Sequence, residues 1–114
     1  MAKHSTIVPK RGEIWWISFD PSIGGEIKKT RPAVIISNNI ANKALNRIQV
    51  IPLTSVVKNI YPAECLVTIQ NKHSKAMADQ LTPISKLRLS AKIGTVTAHE
   101  MDEIERIIRL QLGM

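Results

Sequence analysis

The sequence predicts a mainly β domain in which five or six short strands curl into a small barrel, followed by one C-terminal α-helix. Three observations support this fold class. Short runs rich in β-branched and aromatic residues alternate with turn residues along most of the chain. The connections between them are about 2–8 residues long, which favours an antiparallel meander over βαβ units. Clear helical periodicity is confined to the C-terminal segment. The length of 114 residues predicts a single domain over residues 1–114, with residues 1–10 as a flexible tail.

The first half of the chain predicts three strands. Residues 13–19 combine tryptophan, isoleucine and phenylalanine and are typical of a strand. Residues 33–37 form a continuous apolar run, which predicts a strand buried on both faces. A short helical turn is expected over residues 40–45. Residues 47–53 alternate and predict the next strand, in which Pro52 favours an edge position or a bulge.

The second half predicts a hairpin and a final strand. We expect strands over residues 65–69 and 76–81, joined by a polar turn over residues 71–75. Residues 85–89 fit a short turn or a one-turn helix, and residues 92–96 fit the last strand.

The segment 97–113 predicts the helix. Thr97 and Glu100 have the spacing of a capping box, and Gly113 stands where a helix commonly ends. An apolar stripe with helical spacing supports this prediction: Met101, Ile104, Ile108 and Leu112.

Composition excludes several classes of protein. A single cysteine cannot form an internal disulfide, and Cys65 has only three histidines with which to share a structural zinc ion. Apolar runs stay shorter than the roughly 18 residues of a membrane span, and the N-terminus lacks the apolar core of a signal peptide. We therefore expect a small, soluble, basic, intracellular domain with no membrane partner.

The charge is distributed unevenly. The formal net charge is +7, and 14 of the 16 basic residues fall in residues 1–97, whereas four of the nine acidic residues fall in residues 98–114. The net charge is +9 over residues 1–97 and −2 over the rest. A basic body favours a polyanionic partner such as nucleic acid. The alternative is a charge that serves solubility alone.

Common catalytic patterns are absent from the sequence. There is no phosphate-binding glycine loop of the Walker or Gly-x-Gly-x-x-Gly type. The histidines are scattered in sequence, which predicts three unrelated surface side chains. The carboxylates of the main body do not have the spacing of a two-metal nuclease: Glu13, Asp20, Glu26, Glu64 and Asp79. We expect no metal site and no cofactor.

Two polar residues lie at the ends of neighbouring apolar strands. Arg31 opens one strand, and Thr54 closes the next. If these strands pair antiparallel, the start of one lies beside the end of the other, so both side chains share one rim of the sheet. A guanidinium beside a hydroxyl suits a phosphodiester. The alternative is a solvated strand-end arginine and a turn threonine.

The order of several motifs resembles the MazF/PemK family of toxin endoribonucleases from bacterial toxin–antitoxin pairs. The motifs extend the likeness over about residues 10–112 and comprise Arg11-Gly12-Glu13-Ile14-Trp15-Trp16, Gly25-Glu26, Thr30-Arg31-Pro32-Ala33-Val34-Ile35-Ile36-Ser37-Asn38 and Val50-Ile51-Pro52-Leu53-Thr54-Ser55. The resemblance implies an SH3-like barrel of five to seven mostly antiparallel strands with a C-terminal helix, assembled as a homodimer. It also implies metal-independent cleavage of single-stranded RNA, such as mRNA, and a cognate antitoxin that blocks the RNA groove.

The resemblance assigns roles to particular residues. The family's catalytic arginine and threonine fall on Arg31 and Thr54. The residues expected to contact RNA are Glu26, Lys28, Lys29, Ser55 and Gln80. Thr82 and Ser85 depart from the pattern, because the family segment has arginine and aspartate at these positions.

Three functions remain open from the sequence. The first is an endoribonuclease that uses the 2′-hydroxyl of the substrate as the nucleophile. The second is a non-catalytic toxin of the same barrel class that inhibits DNA gyrase by binding. The third is a non-catalytic RNA-binding module, which the small number of aromatic residues disfavours because stacking normally drives such binding.

Overall fold

The computed structural model describes residues 7–19 and 30–114, and it confirms a mainly β fold with a C-terminal helix. The strands are β1 (Glu13–Ser18), β2 (Thr30–Ile35), β3 (Arg47–Thr54), β4 (Glu64–Ile69), β5 (Lys72–Met77), β6 (Thr82–Ser85) and β7 (Leu89–Thr95). The helices are α1 (Asn39–Ala44) and α2 (Ala98–Leu112), and single 3₁₀ turns span Ala78–Gln80 and Lys86–Arg88. Residues 1–6 of the expected tail lie outside the described residues.

The strands form one antiparallel sheet in the order β4-β5-β3-β2-β1-β7, with β6 also paired to β3. Strand β3 is central: it pairs with β2 along one side, and along the other side first with β6 and then with β5. The change of partner falls at Ile51 and Pro52, between the residues that pair with β6 and those that pair with β5. Proline has no N–H to donate, so a break in the ladder is tolerated there. Pro52 therefore marks a break within a central strand, and the predicted edge position is wrong.

Two hydrophobic cores lie on opposite faces of the sheet. They bury β2 on both of its faces, as its continuous apolar run predicts. Val34 packs into the first core, and Ala33 and Ile35 pack into the second. The buried residues of the first core are Ile14, Val34, Ile51, Leu53, Cys65, Val67, Ala76, Ala78, Val96, Ile104 and Ile107. Those of the second are Trp15, Ile17, Ala33, Ile35, Ile48, Val50, Ile84 and Leu89.

Helix α2 closes the first core. Its capping box is present: the Thr97 hydroxyl accepts from the Glu100 N–H, and the Glu100 carboxylate accepts from the Thr97 N–H. Gly113 ends the helix in the left-handed region, with φ of 73°. The predicted stripe is only partly right, since Ile107 is fully buried and Leu112 is 55% exposed.

The hairpin formed by β4 and β5 differs from the prediction. The turn is at Gln70 and Asn71, both with positive φ, and β5 occupies most of the residues expected to form a polar turn. The predicted strand over 76–81 ends at Met77 and continues as a 3₁₀ turn. The prediction failed because Ser74 and Lys75, polar residues typical of a loop, are buried within β5.

The thiol of Cys65 should be unreactive in the folded protein. Burial, assisted by the nearby negative charge of Glu103, raises the pKa of Cys65 to about 11. The thiolate is the reactive form, and an unfolded cysteine titrates near pH 8.5, so labelling at pH 8 should be at least ~100-fold slower in the native protein than in denaturant. The native rate should rise as the pH approaches 11. Rapid stoichiometric reaction of the native protein with a thiol-specific chromophore at pH 8 would contradict the observed burial.

Candidate active site

The register of β2 and β3 brings Arg31 and Thr54 to the same end of the sheet. Ala33 pairs with Pro52, and Val34 pairs with Ile51. Arg31 and Thr54 each lie two residues beyond the Ala33–Pro52 pair, at the same end of their strands. Side chains two positions apart on a strand lie on the same face, so Arg31 lies on the face of Ala33 and Thr54 on the face of Pro52, the residue paired with Ala33. The two residues therefore share one rim, as the sequence predicts.

Arg31 lines a cavity of about 410 Å³ at this rim. Phe19 and Pro52 supply apolar walls, while Gln80 and Thr82 supply an amide and a hydroxyl. The volume falls within the range of about 300–1,000 Å³ that is typical of small-ligand sites. Apolar walls with a few convergent polar groups suit a nucleobase or a sugar-phosphate unit.

Thr54 is half-buried where β3 ends, and its Oγ1 accepts a hydrogen bond of 3.2 Å from the Val56 N–H. A hydroxyl has one proton and two lone pairs, so this contact leaves the proton available for donation. The turn fixes the hydroxyl relative to the backbone. Ser55 follows and is exposed.

A second guanidinium lies at this end of the sheet. Arg88 Nη1 donates to the Ser18 carbonyl oxygen at 3.2 Å, and Ser18 pairs with Thr30, the residue before Arg31. Two arginines near one rim produce a positive field that attracts a phosphate chain. Arg88 was not predicted to belong to the site, since its partner Ser18 lies 70 positions away in the sequence.

Lys75 occupies the other flank of Thr54. It pairs with Thr54 across the β3–β5 ladder and is only 8% exposed. Its Nζ lies 3.1 Å from Glu64 Oε1 and donates to the Asn59 carbonyl oxygen at 3.0 Å. The burial of Lys75 could not be predicted from the sequence, because its partners belong to a different strand and loop.

The predicted RNA-contacting residues divide into two groups. Ser55 and Gln80 are exposed beside Thr54 and Arg31 respectively, and Gln80 Nε2 donates to Met77 Sδ at 3.6 Å. Glu26, Lys28 and Lys29 lie outside the described residues. The cavity is also lined by three residues that were not predicted to belong to the site: Phe19, Pro52 and Thr82. The sequence signal for them was their position near the end of a strand.

Within residues 7–19 and 30–114, no three His, Cys, Asp or Glu side chains are gathered into a possible metal site. In the same part of the chain, no helix is long and apolar enough to span a membrane.

Comparison with known proteins identifies the family. The family model of PemK-like, MazF-like toxins of type II toxin–antitoxin systems matches residues 10–112. The chain belongs to this family. This PemK/MazF-family protein is 35% identical over 114 residues to the endoribonuclease MazF9 of Mycobacterium tuberculosis, covering 92% of this chain and 97% of the relative. It is 34% identical over 110 residues to the endoribonuclease toxin MazF of Escherichia coli, covering 96% and 98%.

A solved structure supports the same fold. The crystal structure of MazE–MazF (Form-II) from Deinococcus radiodurans superposes on this PemK/MazF-family protein with a TM-score of 0.82 at 26% identity, covering 95% of this chain and 98% of that one. The curled antiparallel sheet and its C-terminal helix are therefore the family architecture.

Proposed function

We propose that this PemK/MazF-family protein is an endoribonuclease toxin that cuts single-stranded RNA at selected sequences, with Arg31 and Thr54 as its catalytic residues. The activity class rests on the two relatives named endoribonucleases, which align over nearly their whole length. The residue assignment is supported by one observation: the β2–β3 register brings Arg31 and Thr54 to the same end of the sheet, where Arg31 lines a cavity. Gyrase inhibition is not supported by these relatives.

The chemistry uses the substrate's own nucleophile. The 2′-hydroxyl loses its proton and its oxygen attacks the adjacent phosphorus, while the bond from phosphorus to the 5′-oxygen breaks and the leaving oxygen is protonated. The products are a 2′,3′-cyclic phosphate and a 5′-hydroxyl. No metal ion takes part. The protein aligns the reacting atoms and stabilises the extra negative charge of the phosphorane.

Arg31 and Thr54 have separate tasks in this scheme. The Arg31 guanidinium carries a fixed positive charge and donates to both non-bridging phosphate oxygens. The Thr54 hydroxyl, held by the turn at Val56, donates a hydrogen bond to the same phosphate.

The surrounding residues bind the RNA chain. Gln80 and Thr82 line the cavity beside Arg31, and their amide and hydroxyl groups are proposed to meet the edge of a base. Ser55 extends the polar rim after Thr54. Glu26, Lys28 and Lys29 are proposed to contact the RNA from the segment before β2.

The direct test of this function is to map the 5′ ends produced from a long, defined RNA. Purified protein should give a discrete set of cuts that share a short sequence, and the cuts should persist in excess EDTA. Arg31→Ala protein purified in the same way serves as the control for contaminating nucleases. Inhibition of DNA supercoiling by gyrase with the RNA left intact would favour the alternative.

Removing the Thr54 hydroxyl should slow cleavage by roughly 10²-fold or more, the effect typical of losing one donor to the transition state. Thr54→Val keeps the shape of the side chain, whereas Thr54→Ser keeps the hydroxyl and should retain most of the rate. Single-turnover cleavage at saturating RNA measures the effect, with thermal unfolding as a check on the fold. Equal rates for the valine and serine variants would show that the hydroxyl has no catalytic role.

A cognate antitoxin completes the proposal, in keeping with the family description. The net charge of +9 over residues 1–97 favours an acidic, disordered segment that folds onto the RNA groove. Such a segment should displace labelled RNA in a competition titration, more weakly at high salt. Simultaneous saturation by RNA and the segment would place the two at different sites.

We also propose that the protein is a homodimer of the bacterial cytoplasm. Among the strands of residues 7–19 and 30–114, β4 and β7 are the two ends of the strand path, so their outer edges could pair with or be covered by a second chain.

A further inference from the structure

We infer that Tyr61 forms a stacking subsite for one nucleobase of the RNA, and that Lys75 is the positioning residue that holds this subsite next to Thr54. The inference rests on the proposed function, since it names a second place where the substrate of the same site is bound.

The Tyr61 ring is anchored on one side and open on the other. Its backbone N–H donates to Glu64 Oε1 at 2.9 Å, and its carbonyl oxygen accepts from the Glu64 N–H at 3.0 Å. Lys75 Nζ lies 5.6 Å from the centre of the ring, a cation–π contact. The residue is nevertheless 61% exposed. A fixed aromatic ring with an open surface loses little entropy when a base stacks on it.

Lys75 connects this ring to the catalytic strand. Its backbone pairs with Thr54, and its buried ammonium group binds both the Glu64 carboxylate and the Asn59 carbonyl oxygen. These contacts hold both ends of the loop between Ser55 and Ala63. A buried ammonium is costly unless its partners are in place, so the contacts fix the loop in one position relative to Thr54.

A second cavity makes room for the base. It has a volume of about 460 Å³ and is lined by Tyr61, Pro62, Asp79 and Leu110 among others. The turn Ala78–Gln80 separates it from the Arg31 cavity, with Asp79 lining one and Gln80 lining the other. An RNA strand can therefore pass from Arg31 over Gln80 to Tyr61.

The charges at this cavity favour a base over a phosphate. Glu64 and Asp79 both line it, and Glu64 is already paired with Lys75. The Asp79 carboxylate repels phosphate but accepts hydrogen bonds from the N–H groups on the edge of a base. The occupant is therefore a nucleobase, stacked on Tyr61 and with its polar edge towards Asp79.

The test combines protein variants with RNAs that lack one base. Tyr61→Leu removes the ring at an exposed position, Lys75→Met removes the ammonium, and Lys75→Arg restores a cation. Ile40→Ala, at an 83% exposed residue on α1, is the matched control. Each protein is assayed on a set of oligonucleotides that carry a single abasic site at successive positions near the scissile bond.

The affinity of wild-type protein for the oligonucleotide should fall by roughly 5- to 150-fold when the abasic site is at one particular position, as expected for the loss of one stacked base. Tyr61→Leu should raise KM by a similar factor with kcat close to wild type, and that abasic site should then have no further effect. Lys75→Met should behave as Tyr61→Leu does, and Lys75→Arg should recover part of the affinity. Thermal unfolding separates these effects from loss of the fold, and the exposed Tyr61 variant keeps the test decisive if Lys75→Met does not fold.

Two results would overturn the inference. One is that the loss of RNA affinity caused by Tyr61→Leu multiplies with the loss caused by an abasic site at every position tested. The ring would then contact no particular base. The other is a Tyr61→Leu protein that binds RNA normally but loses its antitoxin, because the cavity would then belong to the protein partner. If wild-type protein cuts no RNA at all, the proposed function fails instead, and the two failures are distinguishable.

Discussion

Replacing Arg31 with alanine is expected to slow RNA cleavage by roughly 10²–10³-fold, the usual cost of losing one group that stabilises charge in a transition state. Arg31 is half-buried at the end of β2, lines the cavity at the rim and belongs to neither hydrophobic core. The free energy of unfolding should therefore change little. RNA affinity should fall only modestly, because the remaining lysines and arginines supply most of the attraction for phosphate.

Two further variants separate charge from position. Arg31→Lys keeps the positive charge but loses the planar fork, so its rate should lie between those of wild type and Arg31→Ala. Arg47→Ala removes an exposed arginine from the start of β3, at the opposite end from Thr54. Single-turnover rates and melting temperatures should show a large effect only at Arg31. Equal losses at Arg31 and Arg47 would mean that overall charge, and not a catalytic arginine, controls the rate.

The rim could be predicted from the sequence because its determinants are local. The apolar run of β2 and the alternation of β3 define two neighbouring strands, and antiparallel pairing of such neighbours sets the first residue of one beside the last of the other. Arg31 and Thr54 occupy those ends. Helix α2 could be predicted for the same reason, since its cap and its apolar periodicity lie within one segment.

The flanks of the site could not be predicted because they depend on contacts between distant segments. A lysine in a polar stretch is expected on the surface, whereas the Glu64 carboxylate, the loop carbonyl of Asn59 and the Tyr61 ring make the burial of Lys75 tolerable. The cavity likewise joins Phe19 to Gln80 and Thr82, more than 60 positions away. No periodicity within either segment contains that information.

A single 2′-deoxy sugar at the scissile position should abolish cleavage. The proposed reaction has no other nucleophile: the 2′-oxygen forms the new bond to phosphorus, and the protein supplies only alignment and charge stabilisation. Binding should be nearly unchanged, because the phosphates and bases of the strand are all retained. The same substitution several nucleotides away is the control and should be cut at close to the rate of all-RNA substrate.

The single-turnover rate of wild-type protein on this pair of strands, with analysis of the product ends, decides whether the 2′-hydroxyl is the nucleophile. Attack by the 2′-hydroxyl predicts no cut at the deoxy position and, on the control strand, products ending in a 2′,3′-cyclic phosphate and a 5′-hydroxyl. Cleavage of the deoxy-substituted strand as fast as the control would contradict it, because another nucleophile would then be attacking the phosphorus.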